Sequence, residues 1–291
     1  MTATPGLSVS GLSKNFGALA VAQAIDLDLA PGARVALIGP NGAGKTTFVN
    51  LLTGFLEPDG GTIALAGESL SGMRPEERVK RGLVRTHQIS TLLLDDTVRD
   101  NVAIAIAERE GFAWRPLRFG KQWRACRDEA QQRLEEMEIG GVADRSVGQL
   151  PYGGQRLLEI AIALSLRPRV LLLDEPAAGV PSHETEVIHQ ALDRMPADIA
   201  ILIIEHDMGV VFRFAHEIVV LAQGRVLARG SPAARSVTSM PRLMPRSCRD
   251  RRRAHADRSK SPPARRASEC GPGRAPRSHA RSGTRHPYRA R

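Results

Sequence analysis

One short segment restricts the fold of this chain more than any other, namely residues 39–46, which read G-P-N-G-A-G-K-T. It fits the pattern G-x-x-x-x-G-K-[ST], whose glycines let successive backbone amides turn inward around a polyphosphate. The apolar run 33–38 predicts a strand before the segment, and residues 47–52 predict a helix after it. Because the positive end of that helix would point at the same place, the segment predicts a phosphate-binding loop.

The residues of this loop have separate predicted roles. Lys45 is expected to reach the β- and γ-phosphates, and the Thr46 hydroxyl is expected to ligate magnesium. The predicted ligands are therefore a nucleotide and Mg²⁺. A glycine-rich turn that contains a lysine by chance is the alternative, and the flanking strand and helix signals disfavour it. The loop residues predicted to bind nucleotide are Gly39, Pro40, Asn41, Gly42, Ala43, Gly44, Lys45, Thr46 and Thr47.

The charge of the chain is divided unevenly along its 291 residues. Residues 233–291 contain 17 Lys and Arg against 3 Asp and Glu, whereas residues 1–232 carry a net charge of −4. The basic segment is dominated by Arg, Pro, Ser, Ala and Gly, and it has few large apolar side chains. Such a composition cannot bury enough surface to offset its ordering entropy, so we predict that residues 233–291 form a disordered tail.

The cysteines and the apolar runs bear on the compartment. Cys126, Cys248 and Cys270 follow no metal-ligand spacing, which disfavours a disulfide framework and fits a reducing cytoplasm. The N-terminal residues have neither a charged region nor an apolar region, so we expect no signal peptide. Apolar runs such as 102–107 and 199–204 are too short to span a bilayer, so a membrane role is expected to depend on another chain.

Strand signals occur near both ends of residues 1–232. The segment 25–29 alternates apolar and acidic residues and, with 7–10 and 62–66, predicts an antiparallel layer. Later strand signals, at 170–173, 199–204 and 218–221, are separated by helical segments, which is typical of βαβ units around a parallel sheet.

A helical and charged region separates these two parts of the sequence. It runs over about 97–168, with a predicted loop at 111–120 and a predicted helix at 157–166. The predicted fold is therefore α/β, a P-loop NTPase core of the RecA-like type with an antiparallel β subdomain and an inserted helical subdomain.

Two carboxylates follow a buried strand in the sequence V-L-L-L-D-E-P, residues 170–176. Such a strand delivers its acids to the carboxyl edge of a parallel sheet, where the phosphate loop also lies. Asp174 is predicted to hold the magnesium shell, and Glu175 is predicted to accept a proton from the attacking water. An acidic junction without function is the alternative, which the presence of a phosphate loop in the same chain disfavours.

Two further polar residues follow predicted strands. His206, in the run L-I-I-E-H-D, can hydrogen-bond the γ-phosphate and place the water. Gln88, after the predicted strand 83–86, can contact magnesium or the water. A structural histidine and a solvated glutamine are the alternatives. The predicted catalytic residues are Glu175, His206 and Gln88, and the predicted metal-site residues are Thr46, Gln88 and Asp174.

The order and spacing of these elements resemble those of the ATP-binding cassette family, the nucleotide-hydrolysing subunits of membrane transporters. That family has a phosphate loop, a glutamine loop, a signature sequence opening a helix, an L-L-L-D-E-P strand and a switch histidine, in this order. The resemblance covers residues 7–232, with residues 150–154 as the signature. It implies a cassette domain over residues 1–232 whose helical subdomain, about 89–156, is inserted in the nucleotide-binding core.

The resemblance also implies that the nucleotide is ATP, bound with Mg²⁺, and it implies further binding residues. An aromatic residue that stacks on adenine in this family corresponds to Phe16, although a core or hairpin phenylalanine is the alternative. In the signature, Pro151 replaces a serine and Gly154 replaces a glutamine, but Gly153 and Gly154 still offer N–H groups to an anion. The form L-P-Y-G, with R-T-H-Q at 85–88, is most similar to the branched-chain amino acid importer subfamily.

Partners and location follow from the same resemblance. It implies transmembrane permease subunits, a second ATP-binding subunit and, indirectly, a periplasmic or extracellular solute-binding protein. It implies a peripheral position on the cytoplasmic face of the inner membrane. Urea, short amides or lipopolysaccharide export remain alternatives to branched-chain amino acids.

The basic tail leaves two further alternatives. A nucleic-acid-associated ATPase would use its charge to attract phosphate backbones, but we do not expect nucleic acid as a partner because few aromatic residues lie among the arginines. Alternatively, the tail is the product of a frameshift near residue 234.

Overall fold

The computed structural model describes residues 6–86, 92–112, 120–181 and 183–232. The strands are β1 Leu7–Phe16, β2 Leu19–Leu29, β3 Arg34–Ile38, β4 Gly60–Leu65, β5 Glu68–Ser69, β6 Leu83–Arg85, β7 Val170–Asp174, β8 Ala200–Ile204, β9 Glu217–Ala222 and β10 Arg225–Gly230. The helices are α1 Lys45–Thr53, α2 Pro75–Arg81, α3 Val98–Arg109, α4 Lys121–Glu136, α5 Tyr152–Ser165, α6 Thr185–Asp193 and α7 Met208–Phe214. Short 3₁₀ turns lie at Gly140–Val142 and Val147–Gln149.

A six-stranded sheet in the order β10-β9-β3-β8-β7-β6 forms the centre of the fold. The strands from β9 to β6 are parallel to their neighbours, and β10 pairs antiparallel to β9. Every residue of β3, β7 and β8 is buried, as expected for a parallel sheet that is covered on both faces. The carboxyl ends of β3, β8, β7 and β6 consequently lie side by side at one edge of the sheet.

A second sheet, in the order β2-β1-β4-β5, is antiparallel. In β2 the buried Ile25, Leu27 and Leu29 alternate with the exposed Asp26 and Asp28, so one face is apolar and the other is wet. This apolar face packs into one cluster with the buried side of α1 and with alternate residues of β3, β7 and β8. Helix α1 therefore lies in the apolar layer that joins the two sheets.

The opposite face of the parallel sheet is covered by a second apolar cluster, which contains the buried residues of α3, α4 and α5. Arg109 of α3 joins these three helices, since it donates to both carboxylate oxygens of Glu129 in α4 and to the carbonyl of Ser165 in α5. Thr97 begins α3 by accepting a hydrogen bond from the amide of Asp100. The helical region is thus tied together by both apolar packing and a shared guanidinium.

The predicted fold class is confirmed, including the antiparallel layer and the helical insertion. The predicted start of the helix at 157 is wrong, because α5 begins at Tyr152. The consecutive Gly153 and Gly154 have low helix propensity, so the sequence pattern does not predict a helix in that first turn. The turn forms nonetheless, since Pro151 precedes it with an extended backbone and the carboxylate of Glu184 accepts from the Gly153 amide. The predicted loop at 111–120 lies mostly outside the described residues.

Candidate functional site

The phosphate loop connects the carboxyl end of β3 to the first turn of α1. Gly44 is the N-cap residue of α1 and has a left-handed φ of 99°, while Gly42 has a φ of 76°. No side chain caps this helix, and no acidic residue lies in its first turn. Its N-terminal amides and the positive end of its dipole are therefore available to an anion.

The loop is held in place by close backbone contacts with its surroundings. A Cβ at Gly39 would lie 2.1 Å from the carbonyl oxygen of Leu221, and a Cβ at Gly44 would lie 2.6 Å from that of Val21. The amide of Gly224, in the β9–β10 turn, also donates to the carbonyl of Ala43 at 3.0 Å. Only glycine permits this approach, so the loop is fixed by β2 and β9 before any nucleotide arrives.

The ammonium group of Lys45 folds back over the loop. Its Nζ donates to the carbonyl oxygens of Gly39 at 2.8 Å and of Pro40 at 3.1 Å. Burial lowers the pKa of Lys45, and the carboxylates of Glu175 and Asp174 oppose this shift. The structure therefore brings the predicted phosphate-binding lysine and the two predicted acids into one electrostatic neighbourhood.

Asp174 ends β7 and is almost completely buried, with 6% of its surface exposed. Its Oδ2 accepts a hydrogen bond from Arg85 of β6 at 2.5 Å. The other terminal nitrogen of Arg85 donates to Oδ1 of Asn50 in α1 at 2.8 Å. One guanidinium thus connects β6, β7 and the helix that follows the phosphate loop.

Glu175 follows Asp174 in a left-handed backbone conformation with a φ of 48°. A non-glycine residue in this region stores strain of about 1–2 kcal/mol, and such residues gather at active sites. Its amide donates to the carbonyl of Ile204 at 2.9 Å, which anchors it to the neighbouring strand β8. The carboxylate lies 3.5 Å from Nδ1 of His206, so the structure brings these two predicted catalytic residues together.

A third carboxylate, Glu205, lies beneath His206 and is only 2% exposed. It accepts from the amides of Ala177 at 3.4 Å, His206 at 3.1 Å and Asp207 at 3.4 Å. Burial raises the pKa of Glu205, and these amide donors oppose the shift. The carboxylate therefore joins the loop after β7 to the turn after β8, which carry Glu175 and His206.

The predicted signature residues Gly153 and Gly154 lie in the first turn of α5 rather than before it. The amide of Gly153 donates to Oε2 of Glu184 at 2.7 Å, so a carboxylate occupies the amide that was predicted to bind an anion. In the same turn, the hydroxyl of Tyr152 accepts from Arg156 at 2.7 Å. The carboxylate of Glu184 therefore lies at the N-terminal end of α5, where the helix dipole favours negative charge.

Two other predicted residues have different outcomes. Phe16 lies at the end of β1 in the β1–β2 hairpin, where it is half exposed and its ring is 5.9 Å from Nζ of Lys14. An exposed ring of this kind is accessible to a ligand and is not part of the core, which disfavours the core alternative. Gln88 and its neighbour His87 lie outside the described residues.

The donor set of this edge suits magnesium. Thr46 supplies a hydroxyl and Asp174 supplies a carboxylate, both of which are the hard oxygen donors that Mg²⁺ prefers. Because Arg85 contacts Oδ2, Oδ1 of Asp174 remains available for a cation or its water. Among the described residues, no group of three or more His, Cys, Asp and Glu side chains forms a metal site.

The sequence patterns predict no functional role for Arg85, Glu205 or Glu184. Glu205 directly precedes the predicted His206, and Arg85 lies three residues before the predicted Gln88. Glu184 lies 31 residues from its partner Gly153, and no local pattern signals such a contact. A charged residue at the end of an apolar run, within three positions of a predicted site residue, is the sequence signal for Arg85 and Glu205.

Comparisons with known proteins agree with this geometry. The family model described as ABC transporter matches residues 22–178. The chain is 39% identical over 236 residues to the high-affinity branched-chain amino acid transport ATP-binding protein BraF of Pseudomonas aeruginosa, and equally to LivG of Escherichia coli K12. Each alignment covers 78% of this chain and 92% of the relative.

Solved structures show the same similarity. A nucleotide-free ATP-binding cassette from an ABC transporter superposes with a TM-score of 0.70 at 28% identity, covering 82% of this chain and 97% of that one. The ADP conformation of an ATP-binding cassette gives a TM-score of 0.71 at 28% identity, covering 82% and 96%. Within the part of the chain that the structure describes, no helix is long and apolar enough to cross a membrane.

Proposed function

Because this chain belongs to the ATP-binding cassette (ABC) transporter family, we propose that it is the ATP-hydrolysing subunit of an importer for branched-chain amino acids. One observation carries the substrate class. The 39% identity extends over 92% of BraF and LivG, whose names give branched-chain amino acid transport as their process. The cargo itself is expected to be selected by the partner subunits, since the residues described above are arranged for phosphate chemistry.

The proposed substrate-binding groups are those of the phosphate loop. The amides of residues 42–47 and the Lys45 ammonium would bind the β- and γ-phosphates, with Lys45 exchanging its two carbonyl acceptors for phosphate oxygens. Phe16 is proposed to stack on the adenine. The uncapped start of α1 supports this assignment, because its orphan amides need an acceptor.

The proposed magnesium site comprises Thr46 and Asp174, with Gln88 as a further predicted ligand outside the described residues. The ion would neutralise phosphate charge and orient the β- and γ-oxygens. Arg85 holds Asp174 from the side of β6, and this contact supports a fixed orientation of the carboxylate.

Glu175 is the proposed general base. Its carboxylate would accept the proton of a water that attacks the γ-phosphorus, and His206 would hydrogen-bond the γ-phosphate and orient that water. The 3.5 Å separation of the two side chains supports a joint role, as does the anchoring of both loops by Glu205.

A second copy or a related ATP-binding subunit is the proposed partner for hydrolysis, together with transmembrane permease subunits. Each chain has one phosphate loop and one signature segment, so two chains would place the Gly153 and Gly154 amides of one over the nucleotide of the other. The Gly153 amide would then exchange the carboxylate of Glu184 for a phosphate oxygen. Closing and opening of that pair would drive permeases docked on the helical region, at the cytoplasmic face of the membrane. A solute-binding protein would act through the permeases.

The decisive experiment replaces the proposed base. Glu175→Gln should retain labelled ATP, because the side-chain shape is kept, and should lose turnover by about 10²–10⁴-fold, the usual contribution of a general base. Glu186→Gln, an exposed acid paired with Arg213, is the matched control and should keep normal turnover. Unchanged turnover in Glu175→Gln would remove this residue from the base role.

Two further measurements test the partners and the cargo. Turnover should rise faster than linearly with protein concentration if two chains complete the site, and a strictly linear dependence contradicts that arrangement. Membrane subunits that co-purify with the chain can be placed in vesicles and supplied with labelled leucine, valine or isoleucine. ATP-dependent uptake of these supports the proposal, whereas uptake of urea or short amides, or export of lipopolysaccharide, would replace the cargo assignment.

We also propose that residues 1–232 form the cassette domain and that the basic tail, 233–291, is not needed for hydrolysis. A chain ending at 232 should keep the ATPase activity of the parent, and a large loss would contradict this division. DNA that stimulates the ATPase would favour a nucleic-acid-associated function. An intact mass of the native protein that includes the tail would refute a frameshift near 234.

A further inference from the structure

The salt bridge between Arg85 and Asp174 places a guanidinium on one carboxylate oxygen of the proposed magnesium ligand. Asp174 is nearly buried, and the Arg85 side chain is 12% exposed, so water screens this pair weakly. A buried carboxylate without a partner is costly, and Arg85 removes that cost when no metal is present.

Arg85 is also tightly restrained. One terminal nitrogen binds Asp174 in β7 and the other binds Asn50 in α1, so the guanidinium bridges two elements of the proposed site. Its Nε is buried and has no hydrogen-bond partner within the described residues. A guanidinium that is held at both ends can move away only by losing both bonds, which favours its charge staying beside Asp174.

We infer that Arg85 is a positioning residue that sets the affinity of the metal site. Its guanidinium fixes the orientation of the Asp174 carboxylate, and its positive charge limits how strongly that carboxylate attracts magnesium. This inference rests on the proposed metal role of Asp174. The fixed positive charge repels a divalent ion that approaches the same carboxylate. The nucleotide-free site therefore attracts the free ion weakly, and phosphates must supply much of the attraction.

Binding of Mn²⁺ to the ADP-bound full-length chain, followed by electron paramagnetic resonance, tests the inference without relying on turnover. In Arg85→Gln, the dissociation constant for Mn²⁺ should fall by about tenfold, the lower end of what a neighbouring unit charge does to a carboxylate. The thermal stabilisation by Mn²⁺ should also be larger than in the parent, because Asp174 now lacks its internal partner. An unchanged or weaker affinity for Mn²⁺ would overturn the inference.

Two control variants distinguish the effect of the lost charge on Mn²⁺ affinity from the effect of a loosened structure. Arg78→Gln removes another buried arginine, one that donates to the carbonyls of Leu51 and Leu52 at the end of α1, and it should leave Mn²⁺ affinity unchanged. Arg85→Lys keeps the charge but cannot bridge both partners, and its Mn²⁺ affinity should stay within about twofold of the parent. A large increase in either control would show that loosened structure, not lost charge, tightens metal binding. If Arg85→Gln does not fold, Arg85→Met, which keeps the apolar stem of the side chain without its charge, takes its place with the same expected increase in Mn²⁺ affinity.

Asp174→Asn distinguishes failure of this inference from failure of the proposed site. It should weaken Mn²⁺ binding. If it does not, Asp174 has no metal role and the proposed site is wrong. If it does, and Arg85→Gln fails to tighten binding, only the role of Arg85 is refuted.

Discussion

Two glycines of the phosphate loop allow the stability cost of backbone strain to be measured separately from the cost of a steric clash. Gly42 and Gly44 both have left-handed φ angles, of 76° and 99°. A Cβ at Gly42 would meet nothing within 4 Å, whereas one at Gly44 would lie 2.6 Å from the carbonyl oxygen of Val21. Both alanine variants therefore carry left-handed backbone strain, and only Gly44→Ala adds the clash.

The expected magnitudes follow from this difference. Forcing alanine into the left-handed region costs about 1–2 kcal/mol, and this is the main term for Gly42→Ala. Gly44→Ala adds a forced displacement of packed backbone, worth about 1–3 kcal/mol by comparison with overpacked cores. The loss of unfolded-state entropy is common to both variants and cancels between them. We expect the free energy of unfolding to differ by about 1–3 kcal/mol between the variants, or roughly 5- to 150-fold in the unfolding equilibrium constant.

Urea unfolding without nucleotide, followed by circular dichroism, measures this difference directly. The ADP affinity of the folded fraction gives a second readout, because displacement of Gly44 from Val21 would also turn the first amides of α1 away from the phosphates. Equal losses of stability in the two variants would refute the assignment of the clash, and would mean that the loop relaxes freely around residue 44.

Three further predictions concern other parts of the site and fold. Lys45→Ala should abolish retention of labelled ATP at micromolar concentration, because each charge-assisted hydrogen bond that it loses is worth about 1.5–3 kcal/mol. Lys80→Ala, which removes an exposed lysine, should bind ATP normally. Glu205 has a raised pKa, so the folded state binds its proton more tightly than the unfolded state does. The stability that the protonated form contributes is therefore lost as the pH rises above about 4.3 towards the raised pKa. This loss should be absent in Glu205→Gln, and the prediction is contradicted if the free energies of unfolding of variant and parent differ by the same amount at pH 5 and at pH 8. Arg109→Met should lower the free energy of unfolding by about 2–3 kcal/mol, which is less than for a fully buried ion pair because the side chain of Glu129 is a quarter exposed. Thermal unfolding should show a smaller change for Arg213→Met, which removes an exposed arginine.

Most of the fold could be predicted from sequence because its elements carry local signals. The buried runs at 34–38, 170–174 and 200–204 have the continuous apolar character of strands covered on both faces, and β2 has the alternation of a strand with one wet face. Parallel strands align their carboxyl ends, so the order of motifs along the chain was enough to bring Glu175 and His206 to one edge.

The contacts that orient the functional groups could not be predicted in the same way. The pair Arg85 and Asp174 joins residues 89 positions apart, and Glu205 reaches Ala177 across 28 positions. Neither contact follows from a pattern, because each depends on which strands become neighbours. The start of α5 was missed for a different reason, since glycines 153 and 154 have low helix propensity and their first turn is stabilised by Glu184, a residue of another segment.

The charges around the phosphate loop explain why the proposed nucleotide and metal would depend on each other. Lys45 and Arg85 supply two positive charges, while Asp174 and Glu175 supply two negative ones close by. Arg85 is already paired with Asp174, and Lys45 is attracted to both carboxylates. A triphosphate would therefore meet little uncompensated positive charge beyond the amides of α1, and Glu175 would repel it. Because a divalent ion alone would be repelled by Arg85, each ligand is expected to bind weakly by itself and strongly in the presence of the other.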